Sequence, residues 1–318
     1  MKILIPDKLN PKATEILEKA GFEVDNKPGI SEEECIKLCA DADAMIVRSG
    51  IKITKTIIDA AKNLKLVVRA GVGYDNIDTK AAADAGVVVE NTPFGNTNAA
   101  AEHTLALLIM LAKHVIHSHI ELKSGVWDRK KYKATELKDK TLGIVGLGNV
   151  GKKVAKVAIA FEMDVLCFDP FVDEEKMKEI GIKKTELEEL FKTSDYITVH
   201  VPLNEKTRDL ISDKEFEMMK DGVKILNVAR GEVINETALE KAINSGKVAA
   251  AALDVYSAEP PTCKSLIAHE KVICTPHLGA STKEAQVNVA VDAANQIVEA
   301  LKNNKIMHCV NKVEKLRG

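Results

Sequence analysis

The sequence lacks an excess of charge of either sign. Its 318 residues include 45 Lys and Arg against 47 Asp and Glu, a formal net charge of −2 at pH 7. A chain with so small a net charge has no overall electrostatic attraction to nucleic acid or to an anionic membrane. We therefore expect neither as a partner, and any anionic ligand must be recognised by a few cations that are placed locally.

Long apolar runs and paired cysteines are also missing. No stretch of about 18 apolar residues is free of charge, which argues against a membrane span, and residues 1–6 are not followed by the apolar core of a signal peptide. The six cysteines form no C-x-x-C pair, and Cys35 and Cys39 have no matching His or Cys pair nearby. These absences predict a cytoplasmic protein with free thiols and no bound metal.

What the sequence does contain is an alternation of short β-branched runs with helical patterns. This alternation is typical of parallel sheets built from βαβ units, and 318 residues suit two such domains better than one. A first series of strands is predicted near 3–5, 44–48, 66–69 and 87–90, and a second near 142–145, 164–168, 196–201, 224–228, 249–253 and 272–275.

Two long helical patterns flank the second series of strands. Residues 98–123, dense in Ala and Leu, are predicted to form one helix that is apolar nearly all round and is buried between domains or subunits. The polar stretch 124–140 is predicted to leave the core. The last helix, 283–303, has no strand after it, so we expect it to return to the first sheet. The predicted domains are 1–97 with 285–318 for substrate, and 98–284 for the nucleotide.

A glycine-rich turn opens the second series. Residues 141–151 are T-L-G-I-V-G-L-G-N-V-G, a strand that continues into G-x-G-x-x-G and then a helix. Gly146 would form the tight turn, Gly148 would admit a pyrophosphate at the helix N-terminus, and Gly151 would let helix and strand pack closely. Asp169 ends the next strand, where a carboxylate can bind the ribose hydroxyls and repel a 2′-phosphate. We expect NAD rather than NADP, although Asp169 alone is also compatible with a strand-ending turn.

Three polar residues follow later strands, at the end of the sheet where α/β proteins bind ligands. His277 would be the acid or base, because histidine titrates near neutral pH, and Glu259 would stabilise its imidazolium form. Arg230 offers a planar fork for a carboxylate. Hydride transfer at a 2-hydroxy acid needs a base, a cation and an oriented nicotinamide. Singly, the three are also compatible with a turn histidine, a loop acid and a surface arginine.

These residues lie in segments that resemble the D-2-hydroxyacid dehydrogenase family. The segments cover nearly the whole chain in order: V-R-S-G (47–50), R-A-G-V-G-Y-D-N-I-D (69–78), N-T-P-F-G-N-T (91–97), G-L-G-N-V-G (146–151), N-V-A-R-G (227–231), D-V-Y-S-A-E-P (254–260) and P-H-L-G-A-S-T-K-E-A-Q (276–286). The resemblance implies an α/β fold with a Rossmann nucleotide-binding domain and a flavodoxin-like, discontinuous substrate domain. It also implies an NAD-dependent dehydrogenase that forms a homodimer.

The resemblance assigns roles to individual positions. Arg230, Glu259 and His277 match the family's substrate-binding arginine, the acid paired with histidine, and the proton donor and acceptor. The positions implied to contact the cofactor are Val72, Gly146, Gly148, Asn149, Val150, Gly151, Asp169, His200, Val201, Pro202, Val228, Ala229, Arg230, Asp254, His277, Gly279 and Ala280. The positions implied to contact the substrate are Arg48, Ser49, Arg69, Gly71, Val72, Gly73, Asn96, Arg230, His277 and, reaching across a dimer, Arg129.

Within the family, segments 69–78 and 279–286 are most similar to the branch that oxidises D-3-phosphoglycerate to 3-phosphohydroxypyruvate, the first step of phosphorylated serine biosynthesis. The chain ends at Gly318, so the serine-binding C-terminal domain of longer relatives is not expected. Two alternatives stay open. One is a glycerate or hydroxypyruvate reductase, or another D-2-hydroxyacid dehydrogenase, on the same scaffold. The other is an NAD-sensing, corepressor-like protein that binds NAD(H) without turnover.

Overall fold

The computed structural model describes residues 1–313 and 315–317. Their contacts divide the chain into two compact units, Met1–Asn96 with Ser281–Gly318, and Thr97–Ala280. The first unit is discontinuous because the last helix packs against its strands and its first helix.

The elements alternate between strand and helix along most of the chain. The first stretch forms β1 Lys2–Ile5, α1 Lys12–Lys19, β2 Glu23–Asn26, α2 Glu32–Leu38, β3 Ala44–Val47, α3 Lys55–Ala60, β4 Leu66–Arg69, α4 Thr79–Asp84 and β5 Val88–Asn91. The second unit contains α5 Thr97–Lys113, α6 Val115–Lys123, β6 Thr141–Val145, α7 Asn149–Ala160, β7 Asp164–Phe168, α8 Glu174–Glu179, β8 Lys183–Lys184, α9 Leu187–Thr193, β9 Tyr196–Val199, α10 Asp213–Met218, β10 Val223–Asn227, α11 Glu236–Asn244, β11 Val248–Leu253, α12 Lys264–Ala268 and β12 Val272–Cys274. The final helix is α13 Lys283–Asn303.

The first unit is built on a five-stranded parallel sheet in the order β2-β1-β3-β4-β5, which is the flavodoxin-like order. Successive strand residues point to opposite faces, so one face places Leu4 and Val67 against α2, α3 and α4. The other face places Ile3 and Val68 against α1 and α13. Both faces are covered, which explains why the central strands contain continuous apolar runs.

The second unit has a seven-stranded parallel sheet in the order β12-β11-β10-β9-β6-β7-β8. Within this unit the chain first forms β6, continues outward through β7 and β8, and then crosses back to β9 beside β6. This is the doubly wound Rossmann arrangement, and ligands bind at the carboxyl ends of the strands where the order reverses. One face packs against α5 and α7 and the other against α9, α10 and α11. The predicted fold class is confirmed.

The predicted single helix over 98–123 is wrong. His114 has a left-handed backbone, with φ of 52°, which interrupts the helical hydrogen bonds, and α5 and α6 meet at 66°. The two halves also differ in environment, since α5 is buried against α7, β10 and β11 while α6 has no buried residue. No described helix is by itself long and apolar enough to cross a membrane. Among these helices, only the bent pair α5 and α6, taken together, has the length and composition of a membrane span.

The six cysteines are free, and three of them are buried. Burial raises the pKa of Cys35 and of Cys167 to about 12, which keeps both thiols protonated. Across residues 1–313 and 315–317, no group of three or more His, Cys, Asp and Glu side chains could hold a metal ion.

Candidate active site

Three neighbouring strands of the second unit place the predicted catalytic residues at one edge of the sheet. β10, β11 and β12 are adjacent and parallel, so their carboxyl ends lie side by side. Arg230 follows β10, Glu259 lies in the loop after β11, and His277 follows β12. The strand register therefore brings residues distant in sequence to the edge where parallel sheets bind ligands.

His277 and Glu259 form a direct hydrogen bond. The Nδ1 atom of His277 lies 2.8 Å from Oε2 of Glu259. Because a carboxylate only accepts hydrogen bonds, Nδ1 is the donor, and Nε2 is the ring nitrogen left to exchange a proton with a ligand. The side chains remain 46% and 41% exposed, so a ligand can reach them. This arrangement fits a general acid–base pair in which the carboxylate orients the imidazole.

The backbone of His277 is held in an uncommon conformation. Its φ is 54°, in the left-handed region, and its N–H donates to the main-chain oxygen of Asp254 over 2.8 Å. The next two amides, of Leu278 and Gly279, donate to the two carboxylate oxygens of Asp254, each over 2.7 Å. A non-glycine residue in this region is maintained only where its surroundings fix it. Asp254 is the residue that fixes this turn.

Arg230 is placed by a turn that Asn227 locks. The Asn227 side chain accepts from the Ala229 amide over 3.0 Å and donates to the Arg230 carbonyl over 2.8 Å. Nη1 of Arg230 donates to the Ala229 carbonyl over 2.6 Å. A β-carbon on Gly231 would lie 1.9 Å from the Tyr256 carbonyl carbon, so this turn packs tightly against the loop after β11. The guanidinium is thus held on a short, rigid segment.

The glycine-rich turn has the shape that a pyrophosphate requires. Gly146 has φ of +96°, and a β-carbon there would lie 2.7 Å from the His200 carbonyl oxygen. A β-carbon on Gly151 would lie 2.3 Å from the Gly146 oxygen, whereas one on Gly148 would meet nothing within 4 Å. The turn therefore has no room for a side chain at Gly146 or Gly151, whereas the space beside Gly148, directly before α7, is free. Open backbone at a helix N-terminus is a favourable place for phosphate, so these residues fit a dinucleotide.

Asp169 follows β7 and is tied to the same turn. Its Oδ2 accepts from the Leu147 amide over 2.7 Å and its Oδ1 from the Phe171 amide over 2.8 Å. Each carboxylate oxygen has a second lone pair, so Asp169 can still accept from ribose hydroxyls. Turn formation and nucleotide recognition are thus compatible functions of one side chain.

His200 directly follows β9 beside Gly146 and is a poor candidate for acid–base chemistry. Desolvation lowers the pKa of His200 to about 4. Its Nε2 lies 3.1 Å from the Thr198 hydroxyl. His200 is therefore neutral at physiological pH, and its neighbours Val201 and Pro202 add packing surface rather than charge.

The predicted substrate residues of the first unit follow its adjacent strands β3, β4 and β5. Arg48 and Ser49 follow β3, Arg69 ends β4, and Asn96 comes shortly after β5. Gly71 has φ of +144°, and a β-carbon there would lie 1.6 Å from Nη1 of Arg69. The loop of Gly71, Val72 and Gly73 therefore depends on glycine for close approach of the Arg69 guanidinium.

Arg48 has the surroundings of a positioned cation. Its Nη1 donates to Oε1 of Gln286 over 2.6 Å, and its amide donates to Asp7 over 2.6 Å. Its Nε and the Oδ1 of Asn96 are buried without a hydrogen-bond partner among residues 1–313 and 315–317. A buried donor and a buried acceptor of this kind are expected where a ligand supplies the missing partners. Arg129, in contrast, is exposed on the segment after α6.

Several residues that organise the site were not predicted from the sequence. Asn227 is the first residue of the family-like segment N-V-A-R-G (227–231), and Gln286 is the last residue of the family-like segment 276–286. Their sequence context could have drawn attention to them. His103 and Thr275 gave no such signal. His103 is one of several histidines in or near a helix, and only the structure shows its Nε2 3.3 Å from Asp254.

Comparison with known proteins agrees with this geometry. Residues 105–279 match the model of the D-isomer specific 2-hydroxyacid dehydrogenase NAD binding domain. The chain belongs to the D-isomer-specific 2-hydroxyacid dehydrogenase family. NAD is the cofactor that this domain binds, and the open turn at Gly148 fits it.

Individual relatives are similar over nearly the whole chain. D-3-phosphoglycerate dehydrogenase of Archaeoglobus fulgidus is 46% identical over 98% of this chain, which spans 59% of that relative's length. Among solved structures, cofactor (NAD+) bound 3-phosphoglycerate dehydrogenase of Entamoeba histolytica is 34% identical, with a TM-score of 0.83 over 98% of this chain and 99% of that one. A glyoxylate reductase from Paecilomyes thermophila is 30% identical, with a TM-score of 0.91 over 98% of each chain.

Proposed function

We propose that this protein oxidises D-3-phosphoglycerate to 3-phosphohydroxypyruvate with NAD, the first step of phosphorylated serine biosynthesis. The observation that carries the proposal is the 2.8 Å contact of His277 with Glu259 at the sheet edge where Arg230 also follows a strand. The names of the relatives that are 42% and 46% identical support the substrate. A protein that only senses NAD(H) would need none of these three side chains.

His277 is the proton acceptor in this mechanism. Its Nε2 takes the proton of the C2 hydroxyl, and Glu259 stabilises the imidazolium that results. Arg230 binds the substrate carboxylate and the oxygen on C2 through its planar fork. The chemistry that NAD supplies when bound is acceptance of the hydride from C2. Asp254, through the Leu278 and Gly279 amides, keeps the His277 turn in place.

We assign most other substrate contacts to the discontinuous unit, with its boundary near residues 97–98 and 284–285, and the nucleotide to residues 98–284. The amides of Gly71, Val72 and Gly73 hold the substrate carboxylate, since glycine lets backbone approach an anion closely. Val72 would also contribute to holding the nicotinamide. Arg48 and Arg69 bind the phosphate through charge-assisted hydrogen bonds, and Ser49 and Asn96 complete the polar surroundings.

A substrate panel in the reductive direction tests the proposal, because ketone reduction avoids the unfavourable oxidation of the alcohol. The panel contains 3-phosphohydroxypyruvate, hydroxypyruvate, glyoxylate and pyruvate, each with NADH and with NADPH. We expect 3-phosphohydroxypyruvate with NADH to give the highest kcat/KM. A higher value for unphosphorylated hydroxypyruvate or glyoxylate would identify a reductase, and tight NADH binding without turnover of any compound would identify a sensor.

Replacing Arg48 with Gln is expected to lower kcat/KM for 3-phosphohydroxypyruvate by roughly 10- to 100-fold, the worth of a charge-assisted hydrogen bond. Hydroxypyruvate has no phosphate, so its kcat/KM should stay within about 3-fold. Steady-state kinetics on both substrates measure the difference. Lys52→Gln, at an exposed lysine of the same loop, is the matched control. An equal loss on both substrates would remove Arg48 from the phosphate site.

We further propose that the protein is a cytoplasmic homodimer that binds no membrane and no nucleic acid. The six free cysteines support a reducing compartment. Helix α6 and the segment after it expose large apolar side chains, with Ile120 60% and Trp127 75% accessible. Apolar surface of this kind marks a protein interface, and the exposed Arg129 on the same segment would contact the substrate of the second copy.

Replacing Trp127 with Lys is expected to convert the dimer to a monomer at micromolar concentration, because a buried aromatic anchor is exchanged for a charge. Sedimentation velocity measures the change in mass. Phe171→Lys is the control, since Phe171 is 94% exposed but lies after β7 rather than near α6. A wild-type chain that sediments as a monomer, or a Trp127 variant that remains dimeric, would contradict the assignment.

A further inference from the structure

A second contact between a histidine and a carboxylate lies within the nucleotide-binding unit, and the proposed mechanism does not use it. His103, on α5, places Nε2 3.3 Å from Oδ1 of Asp254 and 3.0 Å from the hydroxyl oxygen of Thr275. Asp254 directly follows β11 with none of its surface exposed, and Thr275 follows β12. Helix α5 thus contacts the ends of two strands directly before the turn of His277.

The hydrogen-bond donors in this cluster can be assigned. The Thr275 hydroxyl gives its single proton to Oδ1 of Asp254 over 2.6 Å, so its oxygen can only accept from His103. An ionised carboxylate also only accepts. The Nε2 atom of His103 must therefore carry a hydrogen and is directed at two oxygen acceptors. A donor between two acceptors stabilises a charge that is buried away from water.

The carboxylate that His103 reaches is the one that fixes the catalytic turn. Asp254 receives the amides of Leu278 and Gly279 over 2.7 Å each, and its own carbonyl receives the amide of His277. Burial raises the pKa of Asp254, but the bonds from two side chains and these two amides outweigh burial, so its pKa lies below the ordinary value. Loss of a donor to such a group is costly because the charge stays buried.

We propose that His103 is a positioning residue for the catalytic histidine. Its Nε2–H holds Asp254 and Thr275, Asp254 holds the amides of Leu278 and Gly279, and the turn thereby keeps His277 against Glu259. The inference rests on the proposed function, because it assigns His103 a part in the same turnover. It gives α5, otherwise a packing helix, a direct link to the acid–base pair.

The test compares three variants of the full chain by two readouts. His103→Leu removes the donor, His103→Gln returns an N–H close to the position of Nε2, and Thr104→Val removes a neighbouring buried hydroxyl that donates to the Ala100 carbonyl of its own helix. The readouts are kcat and KM with NADH and 3-phosphohydroxypyruvate, and deuterium uptake of the backbone over residues 276–280. A misplaced catalytic group lowers kcat by roughly 10- to 100-fold, which we expect for H103L with KM for NADH unchanged.

H103L should also speed deuterium uptake by the 276–280 segment, while H103Q and T104V should match the wild type in both readouts. If H103L does not fold, His103→Asn replaces it, because its amide is polar but too short to reach Asp254. Wild-type kcat and uptake in H103L would overturn the proposal, and so would equal losses in H103L and H103Q. If the wild type turned over no hydroxy acid, the proposed function would fail, and deuterium uptake alone would still decide whether His103 holds the turn.

Discussion

Replacement of His277 with Ala is expected to lower kcat by roughly 10³-fold, within the range of a lost general acid or base. The variant keeps the strand, the turn and the bonds from the turn's amides to Asp254, because none of these involves the side chain of residue 277. Affinity for NADH should therefore change little. Steady-state turnover of 3-phosphohydroxypyruvate and a fluorescence titration with NADH measure the two quantities separately.

Replacing Glu259, the hydrogen-bond partner of His277, should cause a smaller loss of turnover than replacing His277 itself. Glu259→Gln keeps the size of the side chain and removes the charge that stabilises the imidazolium, so we expect an intermediate loss of roughly 10- to 100-fold in kcat. His119→Ala, at an exposed histidine of α6, should be fully active. A His277 variant with wild-type turnover would show that another group moves the proton, and the mechanism would be wrong.

The sequence predicted the central strands well because burial on both faces makes them continuous apolar runs. β4 and β7 have the predicted bounds, Leu66–Arg69 and Asp164–Phe168. β2 and β8 were not predicted. β2 is E-V-D-N and β8 is K-K, each pairs with one neighbour at the edge of its sheet, and neither has a buried residue. A polar edge strand depends on its partner rather than on its own side chains.

The break between α5 and α6 could not be predicted from local signals. No Gly or Pro lies at residues 112–116, and the apolar pattern continues through His114, yet that residue is left-handed with φ of 52°. Non-glycine residues are uncommon in this conformation, and although histidine adopts it more often than most, a single histidine does not predict a break. The cause is tertiary, since α5 follows the sheet while α6 leaves it.

The candidate site likewise contains features that local sequence predicts and features that it does not. The glycine turn could be predicted because the positive φ of Gly146 and the close approach of Gly151 to Gly146 both arise within one short segment. The hydrogen bond of His277 with Glu259 could only be expected, since it depends on how the loop after β11 returns to β12. The bond of Arg48 with Gln286 joins positions from opposite ends of the chain. No spacing rule could have paired them.

Arg230→Lys keeps the positive charge and removes the planar fork. We expect kcat/KM for 3-phosphohydroxypyruvate to fall by roughly 10- to 100-fold, because an ammonium cannot form the paired hydrogen bonds that hold a carboxylate. Arg230→Ala should lose more, since the charge is lost as well. Arg208→Lys is the matched control, because Arg208 is half exposed and pairs with Glu232 rather than following a strand.

The position of Arg230 means that this loss weakens binding of the transition state as well as binding of the substrate. Asn227 fixes the backbone on both sides of Ala229, so a shorter or more flexible cation cannot be repositioned by movement of the turn. The fall should therefore appear in kcat as well as in KM. Added guanidinium should restore part of the activity of Arg230→Ala but none of that of His277→Ala, because only the former lacks a planar cation. An Arg230→Lys variant with unchanged kcat/KM would mean that charge alone binds the substrate, and the bidentate assignment would fail.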